Sequence, residues 1–269
     1  TASGLVSGGS LDIDDVVVDG TTIGHTDDTD LMTLTSGTLT VAGTVAATTL
    51  TGDGSGITGL ATSVNGLSDA LIETNSMYIG NDPSSTTSTA EYNLAVGTTA
   101  LDAVTTGDKN TAMGYNALTA NTTGYYNTAT GTNVLKANTT GYLNVAMGES
   151  SLDANTTGNQ NVAIGTYSLT SNTTAGGNTA IGTYASYYNT TGSQNVGVGF
   201  QSLWYNTTGD KNVGIGYQSL YGADGSSSND NTALGYKAGY AITTGTDNVA
   251  IGLNALGQAT TGSKNVAIG

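Results

Sequence analysis

The feature that most constrains this chain is a repeat. An Asn-(Val/Thr/Leu)-Ala-(Ile/Met/Val/Leu)-Gly motif, loosened at a few places, begins at Asn93, Asn110, Asn127, Asn144, Asn161, Asn178, Asn195 and Asn212, at intervals of 17 residues. It resumes at Asn231 after an interval of 19, and again at Asn248 and Asn265. The two extra residues fall in the Ser- and Gly-rich stretch 223–230. Leu recurs eight residues after the Asn, from Leu101 and Leu118 on to Leu256, and Asn-Thr-Thr-Gly follows at 121–124, 138–141, 155–158, 189–192 and 206–209. A fixed period of this length marks a stack of small units, none of which can bury its apolar face alone.

The period has a physical reading. Val and Ile two residues apart face one way on a strand, and the Ala between them faces the other. Leu lies beyond the motif Gly on a second short segment. Gly turns with positive φ at little cost, and Asn and Thr at the second corner bond the local backbone. One repeat therefore predicts one coil of two short strands and two turns. Eleven coils at about 4.8 Å each would make a rod of roughly 50 Å. The Asn of every coil is expected to form a hydrogen-bonded ladder along the axis. The smooth Ala face and the few large apolar side chains per coil suggest that three chains share one axis.

Composition removes several function classes. Only 9% of residues are charged, against an ordinary value of about 25%. The net charge is −15, with 5 lysines and no arginine. Nucleic-acid binding, which needs Lys and Arg against phosphate, is not expected. Without Cys there is no disulfide, iron–sulfur cluster or zinc ribbon. No apolar run is long enough for a membrane-spanning helix. The chain starts at Thr1 and stops at Gly269 inside a repeat, which reads as a fragment or a processed form.

The acids crowd the N-terminal part. Asp12, Asp14, Asp15, Asp19, Asp27, Asp28 and Asp30 offer oxygen ligands, but their spacing fits no EF-hand loop, so they are read as solubilising charge and no metal is assigned. Residues 1–60 alternate Thr- and Val-rich runs with Gly turns, at Val16 to Val18, Thr38 to Val41 and Thr48 to Thr51. Met32 with Leu34, and Leu39 with Val41, show period two. This region reads as an acidic β shaft, wound as a prism, that attaches the chain to something else. Residues 61–92 read as a connector in which Leu67 and Leu71, spaced i, i+4, form a helical turn. Residues 93–269 are the coils.

Catalytic chemistry is not expected. His25 is a single histidine with no nucleophile partner, and Glu149 with Asp153 is the one close acid pair in the coils. No cofactor is implied. The aromatics suggest binding instead. Tyr187, Trp204, Tyr221 and Tyr240 stand nine residues after the motif Asn in four successive coils, and Tyr188 and Tyr205 adjoin two of them. Such a ladder serves packing between coils or chains, or stacks the sugar rings of a surface glycan. Mutating Trp204 and Tyr205 separates the two roles.

Asn-Val-Ala-Ile-Gly at 161–165, 248–252 and 265–269 resembles the Asn-Ser-Val-Ala-Ile-Gly core of the head repeats of trimeric autotransporter adhesins. That resemblance implies a parallel β-roll with three chains to a head, although the adhesin repeat is shorter. The arrangement of 40–269, with Thr-Leu-Thr-Gly-Asp-Gly-Ser-Gly-Ile-Thr-Gly at 49–59 ahead of the Asn-Thr-Thr-Gly array, is more similar to phage tail-fibre and virion-appendage proteins, especially those of marine cyanobacteria. The expectation is an all-β, elongated homotrimeric parallel β-roll or β-helix preceded by a β-prism-like shaft. As a non-enzymatic, extracellular virion fibre it would meet a virion or tail component through its N-terminus and a host-surface glycan or protein elsewhere. A bacterial trimeric surface adhesin is the alternative.

Overall fold

The computed structural model describes residues 16–19, 22–25, 28–35, 38–41, 70–73, 75–80 and 89–269. The chain divides into two compact units, Thr1–Thr58 and Gly59–Gly269.

The first unit carries four strands, β1 (Val16–Asp19), β2 (Thr22–His25), β3 (Asp28–Thr35) and β4 (Thr38–Val41), joined in that order into an antiparallel sheet. The two period-two pairs read from the sequence stand opposite one another, Met32 against Val41 and Leu34 against Leu39. The short β runs at 16–18 and 38–41 lie on these strands, whereas the run at 48–51 lies outside the described residues. Within one chain the sheet is a meander of antiparallel neighbours.

The second unit is a parallel β-solenoid. Eleven three-residue strands, from β7 (Leu94–Val96) to β17 (Val266–Ile268), stack in sequence order in one parallel sheet, each displaced by one repeat. The register is set Ala on Ala, as in Ala146 against Ala163 and Ala163 against Ala180. The sheet reaches further back than the motif. Strands β5 (Ala70–Glu73) and β6 (Ser76–Ile79) form an antiparallel hairpin, and β6 pairs in parallel with β7, Tyr78 against Ala95. Leu71 therefore lies on a strand, not on the helical turn expected of it, and Leu67 lies outside the described residues. Pairing of β5 with β6, and of β6 with the coil stack, gives this segment a backbone partner along its length, which one isolated helical turn lacks.

The interior is narrow. Ala95, Ala112, Ala129, Ala146 and Ala163 at the strand centres are fully buried, as are Leu101, Leu118, Leu135, Leu152 and Leu169 on the facing wall. The residues flanking each Ala, as Val162 and Ile164 flank Ala163, point outward. The smooth Ala face thus allows close approach, but the surface approaching it is the coil's own opposite wall. Even a methyl is too much at Gly197, where a Cβ would stand 2.8 Å from Ser186 Oγ and 3.0 Å from Ser202 Oγ.

That facing wall is not the second strand predicted from the period. Asn116 (φ +57°) and Leu118 (φ +53°) are left-handed with Ala117 between them, and each coil repeats the alternation. On a strand, neighbours point to opposite faces; here the change of hand turns both Ala117 and Leu118 inward. Left-handed backbone costs L-residues roughly 1–2 kcal/mol each. Hydrogen bonds to the next coil offset it, Leu118 N–H donating to Val134 O at 3.0 Å and Ala120 N–H to Lys136 O at 3.2 Å.

The corners are tied along the axis. Asn138 Nδ2 donates to Asn121 Oδ1 at 2.8 Å and to Gly141 O at 3.0 Å, and Thr122 Oγ1 donates to Thr139 O at 3.1 Å. Among the described residues the buried interior begins at Tyr78, fully buried in the slot that Ala fills in other coils. A large ring there fills the bore beside β7.

Candidate functional site

Three sets of side chains could carry function: the asparagine ladder, the outward sheet face and the aromatic rows.

The asparagines form a closed ladder. Asn110, Asn127, Asn144, Asn161, Asn178, Asn195, Asn212, Asn231 and Asn248 are buried with Asn93 at the head. Each Oδ1 accepts the backbone N–H of the next Asn, at 2.8 Å from Asn110 to Asn93 and 3.0 Å from Asn178 to Asn161. Each Nδ2 donates to the carbonyl closing its own coil, as Asn195 does to Gly209 at 2.8 Å. Ser76 takes the same role one repeat earlier, its Oγ accepting from Asn93 N–H at 2.9 Å. With donors and acceptors spent inside, the ladder is scaffold. Asn265 continues it at the exposed last coil.

The sheet turns a largely apolar face outward. Met113, Met147, Ile164, Ile181, Ile215 and Leu234 stand in one row, each more than a third exposed, with Thr130 interrupting it between Met113 and Met147. Half-buried Val145, Val162, Val196 and Val213 share the second row with Thr111, Thr128, Thr179 and Thr232.

All six aromatics singled out from the sequence meet in one cluster. Tyr187 stacks on Trp204 with ring centroids 4.9 Å apart, Trp204 on Tyr221 at 6.3 Å and Tyr221 on Tyr240 at 5.0 Å, all within 14° of parallel. Tyr188 stacks on Tyr205 at 5.2 Å in a second row, standing at right angles to the first. Loss of water within this cluster, followed by the neighbouring phenols, pushes the Tyr221 hydroxyl above the ordinary tyrosine range. Further ladders not singled out from the sequence are Tyr167 with Tyr184, Phe200 with Tyr217 and Tyr236, and Tyr125 with Tyr142. The sign was available: each pair recurs at the repeat interval.

Stacking decides what the ladder offers a ligand. A sugar ring packs its C–H bonds on an aromatic face. Inside the row both faces of Trp204 and Tyr221 are occupied by their neighbours, which leaves only edges to solvent.

Among the described residues no group of three or more His, Cys, Asp or Glu comes together. His25 lies on β2, Asp19 on β1, and Asp28 and Asp30 on β3, while Asp12, Asp14, Asp15 and Asp27 lie outside the described residues. Asp153 is half-buried, and burial raises its carboxyl above the usual range against a smaller pull downward from Lys136. Among the described residues no helix is long and apolar enough to cross a membrane.

These features define a class, the parallel β-solenoids, here with about eleven coils of 17 residues. No protein family's sequence profile, no curated protein and no solved structure matches this chain.

Proposed function

We propose that this chain is a structural subunit of a phage virion fibre, three copies to a fibre, that attaches the particle to a host surface. In this reading the N-terminal unit, wound with its copies as a prism-like shaft, meets a virion or tail component, and the coils present side chains to a host glycan or protein. The role is mechanical and adhesive rather than catalytic, and no cofactor takes part.

The observation that carries the reading is the outward sheet face. A largely apolar strip this long on an exposed face calls for a partner. Because it repeats once per coil, the surface that matches it rung for rung is another with the same period, and a second or third copy of the chain has that period. Ile164 and Ile181 sit mid-strip in complete coils.

Sedimentation and light scattering test the assembly. The wild type is expected at three times the 26.7 kDa chain mass. The double variant Ile181→Lys, Ile215→Lys should run as a folded single chain with unchanged β-type circular dichroism. A wild type that sediments as a single chain removes the trimer from the proposal.

The Asn-Val-Ala-Ile-Gly core favours a second reading, a bacterial trimeric surface adhesin. Antibodies raised against the coils discriminate. Decoration of purified virions supports the fibre, and decoration of uninfected bacterial cells supports the adhesin.

A further inference from the structure

Two pairs of tyrosines hold their rings together at the surface, one coil apart. Tyr125 and Tyr142 occupy the same place in consecutive coils, two residues before Asn127 and Asn144. Their rings stack with centroids 4.8 Å apart and 3° from parallel, and Tyr125 is 40% exposed. Tyr188 and Tyr205 repeat the arrangement at 5.2 Å and 4°, with Tyr188 exposed. In each pair the coil repeat carries one ring onto the other, so like carbons of the two rings lie about one ring spacing apart. The stacked faces shield each other and leave the outer ring edges to solvent. Each pair lies on two complete coils with a further coil on either side.

We infer that these pairs are oxidative crosslinking sites, at which a one-electron oxidant joins the stacked tyrosines into dityrosine and staples one coil to the next. Each phenol gives up one electron and its hydroxyl proton and becomes a phenoxyl radical. The two radicals join through the ring carbons next to their oxygens, and rotation about the side-chain bonds closes the gap. One C–C bond forms, two C–H bonds break, and those two hydrogens return to the oxygens, so both phenols are restored. The pair loses two electrons and two protons in all. Hydrogen peroxide, acting through a haem peroxidase, takes up both and leaves as two waters. Position decides the partner. A held pair reacts at an effective concentration far above that of a dilute chain, so at micromolar protein it outruns coupling between chains by at least about a hundredfold. Exposure alone would rank other rings first. Tyr115 is 54% exposed and Tyr126 is also more exposed than Tyr125, yet neither stacks on a tyrosine face. Tyr126 meets Tyr125 edge-on at 5.8 Å and 68°, and its hydroxyl accepts from Lys109 Nζ at 3.0 Å. The chain has no cysteine, so no disulfide ties coil to coil. A bond between tyrosines 17 residues apart does so, by restricting the unfolded chain as a disulfide would.

The test treats the purified protein, at micromolar concentration, with hydrogen peroxide and a haem peroxidase. Dityrosine fluorescence follows the reaction. Tandem mass spectrometry of digests locates each bond, in joined peptides two hydrogens lighter than their sum. Tyr125 joined to Tyr142 and Tyr188 joined to Tyr205 are expected to lead, in a chain that still runs at single-chain mass on a denaturing gel. Tyr142→Phe and Tyr205→Phe keep a stacked ring and lose the phenol, so each should abolish its own crosslink and leave the other. Oxidation should raise the urea midpoint of the wild type, and raise that of the double variant less. No dityrosine, crosslinks formed chiefly between chains, or a yield through Tyr115 or Tyr126 equal to that of the stacked pairs overturns the inference. So does a wild-type midpoint that oxidation leaves unchanged or raises no more than in the double variant. Host attachment enters none of these readouts, so the attachment reading and the crosslinking sites stand or fall separately.

Discussion

Asn161 donates its backbone N–H to Oδ1 of Asn144 at 3.0 Å, and its own Oδ1 accepts the N–H of Asn178 at the same distance. Its Nδ2 also donates to Ala175 O at 2.9 Å. One buried side chain thus serves its own coil and both neighbours. Asn161→Ala would leave the Asn178 N–H buried without a partner and take one of two donors from the Ala175 carbonyl, which keeps Asn172 Nδ2 at 3.2 Å, at about 2 kcal/mol together. Asn265→Ala, at the exposed end of the ladder, should cost under about 1 kcal/mol. Urea melts of the two variants check the contrast, and equal losses would mean that the ladder does not hold the stack.

The glycine ending each strand makes a second contrast. Gly165 has φ +132°, and a Cβ on it would stand 2.6 Å from the backbone carbonyl of Gly182. Strain and clash act together there, and Gly165→Ala is expected to cost about 4 kcal/mol and to open the contacts with its two neighbouring coils. Gly225, at φ +79° in the inserted loop, has nothing within 4 Å of that position. Gly225→Asn should cost no more than about 1 kcal/mol, because Asn tolerates the left-handed region. Hydrogen exchange resolved by coil reads both effects.

The buried ring of Tyr78 is the third. Tyr78 fills the bore where later coils hold Ala, so Tyr78→Ala should leave a cavity and cost about 3–5 kcal/mol. Because contacts in a stacked repeat run between neighbours, exchange should rise first in the coils nearest residue 93 and leave those beyond residue 200 protected. Uniform loosening along the stack would argue against a local effect.

The repeat was legible because eleven asparagines recur in one frame, and an obligatory buried amide tolerates no drift. The first rung was harder to see. Ser76-Met-Tyr-Ile-Gly80 lies one interval before Asn93, but Ser replaces Asn and Tyr replaces Ala, so the motif dissolves while the register survives in Tyr78 against Ala95. The Leu wall was read as a strand because period alone does not report backbone hand, and Leu at positive φ goes against its own preference. The aromatic positions were legible, but ring orientation was not. That Trp204 and Tyr221 each spend both faces on neighbouring rings follows only from the stacked geometry.

Three buried serines test the packing of the bore. The hydroxyls of Ser151, Ser202 and Ser219 are buried and accept or donate no hydrogen bond. Burying a lone hydroxyl is unfavourable, and other coils hold Ala in the same place, as at Ala100 and Ala117. Ser202→Ala should therefore stabilise the stack by about 1 kcal/mol. It should also make room opposite Gly197, so Gly197→Ala should cost less in the Ser202→Ala background than alone. A double-mutant cycle by thermal melting gives the coupling, and strict additivity would show that the two sites do not meet.

Asp153 gives the stack a pH dependence of known sign. Burial is the main cause of its raised carboxyl pKa, and Lys136 opposes it. The folded protein therefore releases this proton at higher pH than the unfolded chain, whose ordinary value is 3.8. Below that value both states are protonated and the residue costs nothing. As pH climbs from 3.8 through the raised folded value, the unfolded state ionises more readily and stability falls, then levels. Asp153→Asn should remove this dependence, melting higher than wild type at pH 7 while the gap closes at pH 3. Lys136→Met should widen it, since the opposing positive charge is gone. Wild type and variants melting in parallel at both pH values would mean that water reaches the carboxylate freely and that this wall of the coil is looser than its contacts indicate.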